Sequence, residues 1–201
     1  MEPFTLIRSR IIPLNLSDVD TDLILPAQFL TSTSRDGYGE NLFRRLKDND
    51  PDFIFNQAKF QGAAVMVAGS NFGGGSSREH AVWAITGAGI RAVIATSFAD
   101  IFYSNSAKNG LLLITLPENV VNEMLQQGAS GSYEVEINLE AQRVQLPDGR
   151  SFQFSYDPFR KFCLLRGLDD LDYLLDCQAD IAAYRKERES RRFFSTVKTE
   201  E

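Results

Sequence analysis

Residues 62–85 hold the feature that most narrows what this chain can fold into. A short apolar run, Gly62-Ala63-Ala64-Val65-Met66-Val67-Ala68, has the length of a buried strand. It leads into Asn71-Phe72-Gly73-Gly74-Gly75-Ser76-Ser77-Arg78-Glu79-His80, and Ala81-Val82-Trp83-Ala84-Ile85 then reads as the first turns of a helix. Three successive glycines, Gly73, Gly74 and Gly75, let backbone N–H groups turn toward a ligand where a Cβ would obstruct. A helix N-terminus adds unpaired donors and partial positive charge. Arg78 adds a cation able to grip a carboxylate with two bonds. Between them stand two hydroxyls, Ser76 and Ser77. The stretch suits a small anion, with a serine placed for proton chemistry. Ser76 and Glu79 also have the S-x-x-E spacing of a capping box, so plain helix capping remains open.

Other motif readings fail on single residues. A Walker A loop needs a lysine before its Ser/Thr, and none is present. The dinucleotide pattern G-x-G-x-x-G breaks at Arg78. The G-x-S-x-G elbow of hydrolases is absent. A Ser-His-Asp triad would have to use the single histidine, His80, which is too close in sequence to the serines for that geometry.

Around this stretch the pattern is α/β. Residues 5–14 read as an opening strand, 90–95 as a second core strand and 111–116 as a third, with helices at 78–88 and 100–108 between them. Strands separated by helices of about ten residues argue for a mainly parallel αβ core, with the glycine loop at a strand's carboxyl end. Residues 41–47 read as a short helix. Pro117-Glu118 opens a helix to Gln127. Residues 133–139 alternate strictly, as a strand with one wet face does. Val144-Gln145-Leu146 and Phe152-Gln153-Phe154 flank Pro147-Asp148-Gly149-Arg150, a hairpin signal, so a β-hairpin appendage is expected on the core. Asp157-Pro158 starts a helix that Gly167 stops, and residues 169–184 are mostly helical. Residues 1–195 are expected to form one domain, and 196–201 a disordered tail.

Two more segments carry candidate chemistry. Asp18-Val19-Asp20-Thr21-Asp22 puts three carboxylates in five residues, but the EF-hand glycine and closing glutamate are missing, so a solvated turn capping a helix near Leu23 is expected. Residues 31–39 are polar and glycine-bearing, as a loop that selects a substrate on a rigid scaffold would be.

Composition excludes several classes. A formal net charge of −6 is a poor match for nucleic acid, which wants a basic face. No run approaches the 18 apolar residues of a membrane span. The opening Met1-Glu2-Pro3-Phe4-Thr5 lacks the features of a secretory signal, so a cytoplasmic location (or a plastid stroma, in a eukaryote) is expected. Cys163 and Cys177 are too few and too far apart for a zinc or iron–sulfur motif, and read as buried free thiols.

These segments together resemble the small subunit of 3-isopropylmalate dehydratase, and the Gly-Ser-Ser-Arg-Glu-His core is shared with the swivelling domain of aconitase. The resemblance runs in order through Asp18 to Pro26, Asn71 to Ile85, Ser97-Phe98-Ala99-Asp100-Ile101-Phe102-Tyr103, Lys108-Asn109-Gly110-Leu111-Leu112 and Gly167-Leu168-Asp169-Asp170. One departure is Gly74, where family members often carry cysteine. The resemblance implies an aconitase-like swivelling β/β/α domain. It implies interconversion of 2-isopropylmalate and 3-isopropylmalate through 2-isopropylmaleate, in leucine biosynthesis. It makes Ser76 the base. Ser77, Arg78 and Arg35 would hold substrate carboxylates. Asp20, Thr21 and Asp22 would support the substrate-facing backbone, and Gly73, Gly74, Gly75, Glu79 and His80 the loop. It further implies a [4Fe–4S] cluster on a partner large subunit, no cofactor or metal on this chain, and a small dicarboxylate substrate. Two other readings stay open: the small subunit of a sister hydro-lyase (homoaconitase or a citramalate-type dehydratase), and a non-catalytic anion-binding module.

Overall fold

The computed structural model describes residues 1–30, 37–75 and 79–192, with side chains to Glu189. A seven-stranded sheet organises it, in the order β4-β3-β2-β1-β5-β6-β7. The strands are β1 (Leu6–Leu14), β2 (Val65–Ala68), β3 (Ala92–Ala95), β4 (Leu112–Thr115), β5 (Glu134–Asn138), β6 (Arg143–Gln145) and β7 (Ser151–Gln153). β1 to β4 are mutually parallel, and β5 to β7 are antiparallel.

β1 changes partners along its length. Its first half lies antiparallel to β5, from Leu6 opposite Asn138 to Arg10 opposite Glu134. Its second half lies parallel to β2, from Ile11 opposite Val65 to Leu14 opposite Ala68. The burial changes with the partner: Leu6 and Arg8 are exposed, whereas Ile11 to Leu14 are all buried. This accounts for the loose alternation of the segment. The hairpin of β6 and β7 matches its Pro-Asp-Gly signal, and it extends this same sheet through β5.

The core strands read VMVA, AVIA and LLIT because both of their faces are covered. Alternate residues enter opposite layers. Ile12, Leu14, Met66, Val93 and Leu113 pack under α1 (Thr21–Ile24), the Leu42-Phe43 pair beside α2 (Arg44–Asn49), and α3 (Glu79–Gly87). Ile11, Val65, Val67, Ile94 and Ile114 pack under α5 (Glu118–Gly128) and Leu164 of α6 (Pro158–Arg166). α4 (Asp100–Lys108) carries β3 to β4, and α7 (Asp170–Asp176) and α8 (Gln178–Arg192) end the described chain.

Several boundaries differ from expectation. The core strands are shorter than their apolar runs, because Ala63, Ile90, Leu111 and Leu116 are buried beyond the last ladder pairs. Pro117 is the N-cap of α5, one residue before the position expected. The helix expected at 41–47 is a 3-10 turn at Tyr38–Asn41 followed by α2. Here tertiary contact wins over local preference: a Cβ on Gly39 would fall 2.3 Å from the Gly87 backbone, so the turn docks main chain to main chain on α3. Helix continues to Arg192, past the point where charge dominates. Cys163 is buried as expected, but Cys177 is partly exposed. The 196–201 tail lies outside the described residues. Among the described residues no helix is long and apolar enough to cross a membrane.

The middle of the parallel sheet should be the least tolerant of truncation. Ile94→Ala removes a fully buried side chain from β3 and is expected to cost about 2–5 kcal/mol of unfolding free energy, read from urea denaturation.

Candidate active site

Three loops leave the carboxyl ends of β1, β2 and β3 on the same side of the sheet, and hydrogen bonds join them. Gly69 N donates to Leu16 O at 2.9 Å. Gly73 N and Gly74 N both donate to Val19 O, at 2.7 and 3.2 Å. In return Thr21 N donates to Gly74 O at 3.0 Å, so Asp20 and Gly74 lie side by side as an isolated parallel bridge. On the other flank Phe72 N donates to Ser97 O at 3.1 Å and Ala99 N to Phe72 O at 3.0 Å. The glycine stretch is therefore the central member of a three-loop layer.

Two of its glycines are required by the backbone. Gly73 has φ +84°, and a Cβ there would lie 2.2 Å from Cγ of Phe102, a buried residue of α4. Gly75 has φ +82°, with the Asp20 side chain 3.5 Å from where its Cβ would be. Gly74 differs. Its backbone is ordinary, and a Cβ would meet nothing closer than the Asn71 amide at 3.8 Å. A side chain therefore fits at this position without moving the loop.

The acidic segment lies against these glycines. It is only partly the solvated turn expected. Val19 and Thr21 are buried, while Asp18 and Asp20 are exposed. The Asp20 carboxylate caps α1 by accepting from Leu23 N at 2.6 Å. The helix thus begins at Thr21, two residues earlier than expected, and lasts one turn.

Glu79 opens the helix beyond the loop. Its carboxylate accepts from the Asn109 amide at 2.7 Å. The same amide group donates to Asn105 O at 2.8 Å, and its oxygen accepts from the Trp83 indole at 2.9 Å. All polar atoms of the Asn109 side chain are therefore engaged in fixing α3 against α4. His80 sits edge-on to Trp83 and Tyr38, with ring centroids 4.6 and 5.5 Å away. Tyr38 thereby ties the end of the 31–39 segment to the start of α3. Ser76, Ser77, Arg78 and Arg35 lie outside the described residues.

Sequence reasoning missed Tyr38, Ser97 and Asn109 as contributors to this layer. Asn109 was legible as a member of the Lys108-to-Leu112 segment of the resemblance, but its reach to Glu79 crosses 30 residues. Among the described residues, the buried titratable groups away from this layer are held neutral. Burial, with the nearby Asp157 carboxylate, raises the Tyr103 phenol, and burial raises Tyr156 further, so both remain protonated at neutral pH. Burial likewise raises the Cys163 thiol, away from nucleophilic thiolate. Among the described residues no three His, Cys, Asp or Glu side chains are grouped to hold a metal.

The two neighbouring glycines should separate in a substitution experiment. Gly73→Ala is expected to cost about 2 kcal/mol or more, from the left-handed backbone and the Phe102 clash together. Gly74→Ala is expected to cost less than about 1 kcal/mol. Urea unfolding midpoints of the two variants check this.

The aconitase C-terminal domain family matches residues 1–119. The chain is 52% identical to the 3-isopropylmalate dehydratase small subunit of Francisella philomiragia over 176 residues, covering 88% of this chain and 93% of that one. The small subunit of Francisella tularensis subsp. novicida matches with the same identity and coverage. Among solved structures, 3-isopropylmalate dehydratase from Methanocaldococcus jannaschii superposes with a TM-score of 0.66 at 29% identity, over 89% of this chain and 99% of that one. With the glycine loop, the acidic segment and the α3 entry in one layer, the chain belongs to the aconitase C-terminal-domain family, among the 3-isopropylmalate dehydratase small subunits.

Proposed function

We propose that this chain supplies one half of a 3-isopropylmalate dehydratase active site, the other half coming from a large subunit that carries a [4Fe–4S] cluster. The enzyme is a hydro-lyase of leucine biosynthesis that interconverts 2-isopropylmalate and 3-isopropylmalate through 2-isopropylmaleate. The observation that carries the split-site reading is the glycine loop itself. It is held from both flanks at the carboxyl end of β2 and runs into α3, an arrangement suited to an anionic substrate. The donor set of this chain does not suit a cluster of its own: it has two cysteines, Cys163 buried and Cys177 partly exposed. When bound to the partner, the cluster would supply Lewis acidity for the departing hydroxide.

This chain's residues do the remaining work. Ser76 takes the proton from the carbon beside a substrate carboxylate. The α3 N-terminus and Arg78 stabilise the serine alkoxide that this requires; the N–H groups of Gly73 and Gly74, expected from the sequence to face a ligand, are instead spent on Val19 O in holding the loop. Ser77 and Arg78 hold one substrate carboxylate, and Arg35 holds another from the 31–39 segment. Asp20, Thr21 and Asp22 keep the adjacent backbone in place, and Glu79 and His80 hold the helix entry. Residues 1–195 act as one swivelling domain that brings this layer onto the partner. A cytoplasmic setting fits an enzyme of amino-acid biosynthesis.

Anaerobic co-expression with the large subunit of the same organism tests the reading, with 2-isopropylmaleate followed by its ultraviolet absorbance. Activity is expected only in the mixture. A stable complex that ignores isopropylmalate would redirect the assignment to a sister substrate, and the absence of any complex would overturn the split site. Ser76→Ala should assemble normally and lose roughly 10²–10⁴-fold in turnover; native turnover would remove Ser76 from the mechanism. Arg78→Lys should lose about tenfold or more in kcat/KM, because the two-bond grip is gone.

A further inference from the structure

Asp18 and Asn71 stand outside the roles assigned above, yet they meet at the root of the glycine loop. Four non-glycine residues have left-handed backbones among the described residues: Asp18, Phe43, Asn71 and Gln142. Asp18 and Asn71, both at φ +53°, face each other across the loops that leave β1 and β2. Aspartate and asparagine adopt this conformation at the least cost of any side-chain-bearing residues. Backbone strain of this kind persists only where surrounding contacts over-determine it. Here they do. Asn71 Nδ2 donates to Asp18 Oδ1 at 2.8 Å. Asp18 N donates to Ser70 O at 2.9 Å, and Asn71 N donates to Ser97 Oγ at 2.8 Å. Asn71 therefore binds the β1 loop through its side chain and the β3 loop through its main chain. The next residues continue the register, since Gly73 N and Gly74 N both reach Val19, the residue after Asp18.

We infer that Asp18 and Asn71 form a positioning clasp for the catalytic loop. They touch no substrate. They set the direction in which the chain leaves β2, and so where Gly75 and the serines after it begin. The inference rests on the reading of that loop as catalytic. A charged acceptor suits the task, because a hydrogen bond to an ionised partner is stronger than a neutral one and resists the pull of solvent at an exposed position.

The test uses the co-expressed heterodimer, with turnover counted per assembled complex well below its melting midpoint. Asn71→Asp sets two carboxylates against each other where the bond was. It is expected to lower kcat about tenfold or more, with kcat falling by a larger factor than KM rises. The exchanged pair D18N/N71D rebuilds the same bond with donor and acceptor reversed, at unchanged net charge and with residue types that accept both backbones. It should return kcat to within about threefold of native. Native kcat in N71D, or a double variant no better than N71D, would overturn the clasp. If N71D does not assemble, N71G decides: it deletes the side chain with its amide and tolerates the backbone, so native kcat there overturns the inference and a tenfold loss supports it. S76A run alongside separates the two readings. An inactive S76A with a native N71D sinks the clasp alone, whereas native activity in S76A removes the catalytic reading of the loop on which the clasp depends.

Discussion

A loop at the end of β2 can hold one geometry in front of a ligand only if its own backbone is satisfied from elsewhere. The loops of β1 and β3 meet that demand. Val19 O takes two N–H groups of the glycine stretch, Gly74 O is spent on Thr21, and Phe72 is paired on both sides with the Ser97-to-Ala99 segment. Every one of these bonds needs the three parallel strands in register beneath it. The site therefore depends on the ladder that sets Ile11, Val65 and Ala92 abreast. A one-residue slip would send each core side chain into the opposite layer and separate the donors from Val19. Stability of the core and geometry of the loop layer are one constraint.

The layer is then secured from the helix side. Asn109 fastens Glu79 and Trp83 to α4, and the Tyr38 ring closes on His80. The close main-chain approach of Gly39 to Gly87 brings a distant segment onto the same helix. The strands fix where the loop begins, and α3 fixes where it ends.

Much of this was legible in the chain. The core strands announced themselves because burial on both faces leaves no room for alternation. α4 and α6 were bounded correctly, because Asp100, Asn109-Gly110, Asp157-Pro158 and Gly167 punctuate helices by local chemistry. The resemblance gave Asp20, Thr21 and Asp22 a supporting role without saying what they touch; the hydrogen bond from Thr21 to Gly74 is a contact that only the fold supplies. What escaped were contacts with no local signature. Asp18 and Asn71 are 53 residues apart, and nothing in the polar pattern of either says that they meet. The 3-10 turn at Tyr38–Asn41 stands where a loop and then a helix start were expected, held by its contact with Gly87, and the loose alternation of β1 did not say that it exchanges β5 for β2.

That exchange has a consequence for synthesis on the ribosome. The second half of β1 can find β2 once residue 68 has emerged, whereas its first half must wait about 70 residues longer for β5. At ordinary rates of translation the delay is on the order of 10 s. For that time the amino-terminal half of β1 is an open edge, able to recruit a strand from another nascent chain. The sequence there is Leu-Ile-Arg-Ser-Arg. Two arginines in five residues are an effective guard against such pairing. In the finished fold neither is wasted: Arg8 binds Glu136 of the arriving β5, and Arg10 holds the carbonyls of Lys59 and Gln61. The residues that protect the unfinished strand become the ones that fasten it.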